Sequence, residues 1–107
     1  MEQVVRFYED QSRQLFGREI PQVLLLHAYA LNADHLDRLL SLLRDRGYRF
    51  VSLEEVLADP AYDSEDAYVG PGGITWLHRW AISRDVDRSM FAGEPRVPGW
   101  VREALDR

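Results

Sequence analysis

The chain has no cysteine among its 107 residues. Disulfides, thiolate zinc sites and cysteine nucleophiles are excluded, and the redox compartment is left open. It has no apolar run long enough for a membrane span. It lacks a basic excess: 13 Lys and Arg face 18 Asp and Glu, a formal net charge of −5. An acidic chain would meet a polyanion against its own field, which argues against nucleic acid as a partner. Arg38, Arg44, Arg46 and Arg49 interleave with Asp37 and Asp45, as on a solvated helix face. Met1-Glu2-Gln3 opens directly into a helix-like pattern. No signal peptide is expected, which leaves cytoplasm and periplasm both open. Internal repeats and low-complexity segments are absent too.

What is present fits one small domain. Gln22-Val23-Leu24-Leu25-Leu26-His27 is the most informative run: apolar residues of strand character ending in one imidazole. It is bounded by Pro21 and by Asn32-Ala33-Asp34, and it predicts a strand buried on both faces. Such strands belong to parallel sheets covered by helices, where catalytic side chains sit at the carboxyl ends of strands. His27 lies at that end. The competing reading is a core histidine satisfied by a backbone carbonyl.

Around this run the pattern alternates. Residues 2–16 read as a helix with Val4, Tyr8, Gln11 and Leu15 along one face, stopped by Gly17. A second helix is expected from an Asn32 cap with Asp34 in its first turn, a stripe of Leu36, Leu39, Leu40 and Leu43, and a stop at Gly47. Tyr48-Arg49-Phe50-Val51 reads as a second strand. Ser52 and Glu55 form a capping box that opens a short helix to about Leu57. Asp59-Pro60 breaks it. Helix, strand, helix, strand, helix implies α/β architecture with right-handed crossovers. Two strands cannot form a complete sheet, and residues 59–107 do not mend it. Those residues read as loop, with Gly70-Pro71-Gly72-Gly73 as punctuation, a short aromatic helix over 74–82 carrying Trp76, His78 and Trp80, and a last helical turn at 100–105.

From Phe7 to Leu57 the chain resembles the end of a polysaccharide deacetylase domain (NodB homology, carbohydrate esterase family 4). The resemblance rests on Leu25-Leu26-His27, the leucine-striped helix, and Gly47-Tyr48-Arg49-Phe50-Val51-Ser52-Leu53-Glu54-Glu55-Val56-Leu57. It covers about half the chain in matching order and spacing. Residues 68–80 also look like an extension seen in some bacterial members. The resemblance implies a distorted (β/α) barrel, of which this chain would be the C-terminal part. It also implies metal-dependent removal of N- or O-acetyl groups from acetylated carbohydrate. On this reading His27 is the general acid that protonates the leaving amine, and Leu25 lines the pocket for the acetyl methyl. The chemistry suits both: an amine leaves poorly unless protonated, and imidazole titrates in the working range.

The family's metal-binding signals are missing. There is no Thr-Phe-Asp-Asp-Gly-like segment, no His-x-x-x-His pair and no arginine-containing third motif, and no Trp precedes His27. The chain thus divides into 1–58, the C-terminal portion of a deacetylase-like domain, and 59–107, a loop-rich extension. No cofactor or metal is expected in this chain itself; a divalent, zinc-like metal is implied for a full-length parent. Residues 1–107 alone are expected to be inactive.

Other features have plain readings. His35 reads as a surface residue in a helical turn. Trp76, His78 and Trp80 suit either sugar stacking or packing, and packing is favoured. Gly70-Pro71-Gly72-Gly73 lacks the Lys-Ser/Thr ending of a phosphate loop. Asp63, Glu65 and Asp66 read as a solvated loop. Two function classes remain: part of a metal-dependent carbohydrate deacetylase, or a non-catalytic assembly module that pairs an open sheet edge with a partner chain or a second copy. Homo-oligomerisation is expected from the open edges.

Overall fold

The first helix sets the frame. Glu2–Phe16 is α1, and Gly17 (φ 71°) ends it in the left-handed region, its N–H donating to the Arg13 carbonyl at 2.8 Å. Ser12, fully buried, ties down the turn that follows. Its hydroxyl donates to the Arg18 carbonyl at 2.9 Å and accepts from the Ile20 N–H at 2.8 Å. That turn delivers Ile20 to the core. The computed structural model describes residues 2–26, 28–71, 74–86, 88–96 and 98–105.

The second helix, α2, spans Ala30–Asp45. It begins two residues before the expected Asn32 cap; the N-cap is Tyr29, with no side-chain capping bond, and the first turn carries no acidic residue. Its end follows the sequence reading. Gly47 (φ 89°) donates to the Arg44 carbonyl and Tyr48 N–H to the Leu43 carbonyl, a Schellman closure. Ser52 Oγ accepts from Glu55 N–H at 3.2 Å and opens α3, Leu53–Leu57. A 3₁₀ turn at Pro60–Asp63 is capped by Asp59, which accepts from Ala61 N–H at 2.9 Å. Thr75 caps α4, Trp76–Ser83. A second 3₁₀ turn, Arg88–Phe91, and α5, Gly99–Leu105, complete the chain.

The core lies where α1 packs against α4. Ile20, Ala61, Leu77 and Trp80 are buried there, with Tyr8, Leu15, Phe16 and Tyr62 packed around them. Trp80 meets Phe16 edge-on at 5.5 Å and Tyr62 at 5.2 Å between ring centroids. Such pairs add to area burial.

The expected α/β architecture is corrected. Among the described residues every regular element is helical, and there is no strand, sheet or partial (β/α) barrel. Residues 22–26 and 48–52 are irregular, and neither pairs with the other. A strand exists only where its backbone groups find a neighbouring strand. The apolar pattern supplies strand-like side chains, but the described chain offers no third strand to complete a sheet. The second consequence is exposure. Val23, Leu24, Phe50 and Leu53 are each about half exposed, and α2 has no buried residue.

Candidate functional site

The segment before α2 carries the two residues singled out by sequence. Leu25 is 80% exposed, in contact with solvent rather than lining a closed pocket. His27 lies outside the described residues.

Close by is an apolar cavity of about 340 Å³, lined by Val23, Leu53, Leu57, Tyr62, Trp76 and Trp80. It forms because residues 22–26 leave the core beside Tyr62, whose hydroxyl donates to the Pro21 carbonyl at 2.7 Å. Trp80 closes its floor and is 2% exposed, whereas Trp76 is 52% exposed. The two indoles stack at 6.1 Å, and the Arg79 guanidinium lies 5.3 Å from the Trp76 ring centre. Asp66 holds that guanidinium, with both carboxylate oxygens 3.0 Å from Arg79 Nε. Trp80 is thus a core residue, and Trp76 is the side chain a bound apolar group would touch.

A polar cluster joins α1 to the end of α2. Arg46 donates to both Glu9 oxygens, at 3.0 and 2.8 Å from one nitrogen, and reaches Glu2 at 3.2 Å. The Tyr48 hydroxyl donates to Glu9 at 2.7 Å. Burial pushes the Glu9 carboxyl up, but the bonds from Arg46 and Tyr48 outweigh it and hold it below the ordinary carboxylate range. Burial and the Glu9 charge push the Tyr48 phenol up. An acid so firmly paired is a structural joint rather than a proton donor. Sequence reasoning placed Arg46 on a solvated face and did not find this joint, because Glu9 and Arg46 are 37 residues apart.

The imidazole the structure does describe in a shielded setting is His78. Its ring lies 6.3 Å from Phe7, 6.0 Å from Tyr8 and 4.4 Å from Phe91. Its Nε2 is buried with no hydrogen-bond partner among the described residues. Burial holds the ring below the ordinary imidazole value, opposed by the Glu94 charge. No local pattern in the sequence points to Phe91 or Glu94 at this place.

His35 is exposed on α2 and His78 sits among aromatic rings. No group of three His, Asp or Glu side chains among the described residues could hold an ion. No described helix is long and apolar enough to cross a membrane. No family model, curated protein or solved structure matches the chain.

Proposed function

We propose that this chain is the C-terminal portion of a carbohydrate deacetylase, a hydrolase of acetyl-amide or acetyl-ester bonds on acetylated sugars. The metal-binding residues of that activity come from a segment outside these 107 residues. The observation that carries the reading is Leu25: an apolar side chain 80% exposed, two residues before His27 and upstream of α2, in the order the deacetylase motif requires. A wall for an acetyl methyl stands open in this way when the opposite walls belong to another segment. His27 supplies the proton that a departing amine needs. The Schellman closure at Gly47 and the Ser52 cap, both part of the motif, support the same alignment.

Grafting tests the reading. Residues 22–57 replace the equivalent segment of an active polysaccharide deacetylase, and acetate release from an acetylated chito-oligomer is followed. The graft is expected to retain turnover and His27→Ala to abolish it. A folded graft without activity overturns the proposal.

A second reading is favoured by the apolar side chains around the cavity. Val23, Leu53, Leu57 and Trp76 are each about half exposed and line one depression. Exposed apolar groups concentrated this way mark an interaction surface. On this reading the chain is an assembly module that covers the depression with a second copy of itself, and no catalysis is involved.

A further inference from the structure

We propose that residues 88–96 form a strap over the α1–α4 junction, and that the strap opens when His78 takes up a proton. The inference is independent of the enzymatic reading.

Three contacts hold the strap down, each from a different part of it. The Phe91 ring lies 4.4 Å from the His78 ring at an interplanar angle of 62°. Gln11 Nε2 on α1 donates to the Met90 carbonyl at 2.5 Å. The Tyr8 hydroxyl donates to Glu94 at 2.5 Å. Gly93 lies between Phe91 and Glu94 with φ 87°, so the strap can bend there and reach both α4 and α1.

His78 is the pivot, because it touches both sides. It faces Phe7 and Tyr8 from α1 and Phe91 from the strap. Its Nε2 is shielded and has no acceptor among the described residues. A neutral imidazole tolerates that position. An imidazolium carries an ionised N–H on both nitrogens, and Nε2–H would then face aromatic carbon with nothing to receive it. The titratable groups that face the ring are Tyr8 from α1 and Glu94 from the strap. On α4 itself the neighbouring Arg79 is turned to Asp66. Glu94 favours the cation, but it is solvent-exposed and already receives the Tyr8 hydroxyl. Burial outweighs it and holds the imidazole below its ordinary value. Among the described residues Gln11 Oε1 is likewise buried without a partner, on the α1 residue that holds Met90. Ring packing and two hydrogen bonds join the strap to the junction.

The sign follows directly. In the closed form the ring prefers to be neutral; in the open form it titrates as ordinary imidazole, at about 6.5. Protons therefore bind the open form better. The strap is closed above that value and opens progressively as pH falls below it. Opening uncovers Phe7, Tyr8 and the His78 ring, an aromatic surface that the closed strap hides.

Amide and imidazole NMR spectra of the full chain, recorded from about pH 7.5 to about pH 5, test this. The amides of residues 89–96 and of Phe7, Tyr8 and Gln11 are expected to shift together, with onset below about 6.5. His78→Phe keeps an aromatic ring that cannot be charged and is expected to abolish the shared transition. Glu94→Gln removes the facing carboxylate and its bond to Tyr8, and is expected to leave a transition that still depends on His78. Strap amides that stay fixed across the range overturn the proposal, as does an unchanged transition in His78→Phe. If that variant does not fold, the wild-type imidazole signals decide: a His78 ring that titrates at or above the ordinary value rules the strap out.

Discussion

Arg46 grips Glu9 with a forked contact from the end of α2 to the middle of α1, and Tyr48 adds its hydroxyl to the same carboxylate. Both side chains of the pair are largely shielded, 20% and 10% exposed. A pair like this contributes little when made and costs much when half removed. Glu9→Gln should lower stability by about 2 kcal/mol, and Arg46→Ala should lower it as well. The double variant should lose less than the sum of the two. Urea denaturation of the four proteins checks this, and additive losses would mean the two side chains act separately.

The same carboxylate gives the protein an acid limb. Glu9 is held below its unfolded value, so it contributes stability that is present above the ordinary carboxylate range. That contribution is lost as pH falls through the folded value. Asp59 adds to it in the same direction, lowered first by the Arg18 hydrogen bond and then by the Ala61 N–H. The melting temperature should fall more steeply below about pH 4.5 in the wild type than in Glu9→Gln. Parallel curves would show that Glu9 titrates alike folded and unfolded.

Trp80 and Trp76 should separate cleanly. Trp80 is 2% exposed and central, so Trp80→Ala should cost about 4 kcal/mol and leave the chain largely unfolded. Trp76 is half exposed, and Trp76→Ala should cost about 1 kcal/mol. Circular dichroism melts distinguish the two. Equal losses would make Trp76 a core residue.

Light scattering on a size-exclusion column tests whether the exposed apolar groups find a second copy. At about 100 μM the chain should run as a dimer, well above the ~1 μM dissociation constant within reach of a standard-size interface. Leu53→Glu, which places a charge beside the cavity, should return it to a monomer. A monomeric wild type removes the assembly reading and leaves the deacetylase reading standing.

Gly47→Ala gives a purely backbone measurement. A Cβ there would meet nothing within 4 Å, so the strain comes only from φ 89°. The loss should be about 1 kcal/mol. A neutral substitution would mean that the helix end relaxes to another turn.

The local grammar of the chain was legible. Gly17, Gly47, Ser52 and Asp59 punctuate it where the residues themselves indicate, because caps and left-handed stops depend on neighbours a few residues away. The strands were misread for the opposite reason. Val23 to Leu26 and Tyr48 to Val51 have the right side chains, but pairing is a property of two segments and their partners, which period alone does not reveal. The Asn32 cap reading fails because α2 starts at Ala30 without a capping side chain. Of the candidate site, Leu25 and Trp76 were visible as residues. The Glu9–Arg46 joint and the Phe91–His78 contact were not, since nothing local couples positions so far apart in sequence.

The bidentate contact of Arg18 on Asp59, at 2.6 and 3.0 Å, has a topological consequence. With Tyr62 on Pro21 beside it, the chain leaves the core and re-enters it at one point, 41 residues later. The segment between is fastened to the body here and a second time where Arg46 and Tyr48 meet Glu9. Its two ends are already neighbours, so its loop-closure cost is largely met by the Arg18–Asp59 contact. A protease nick within residues 22–52 would leave both pieces fastened to the same body.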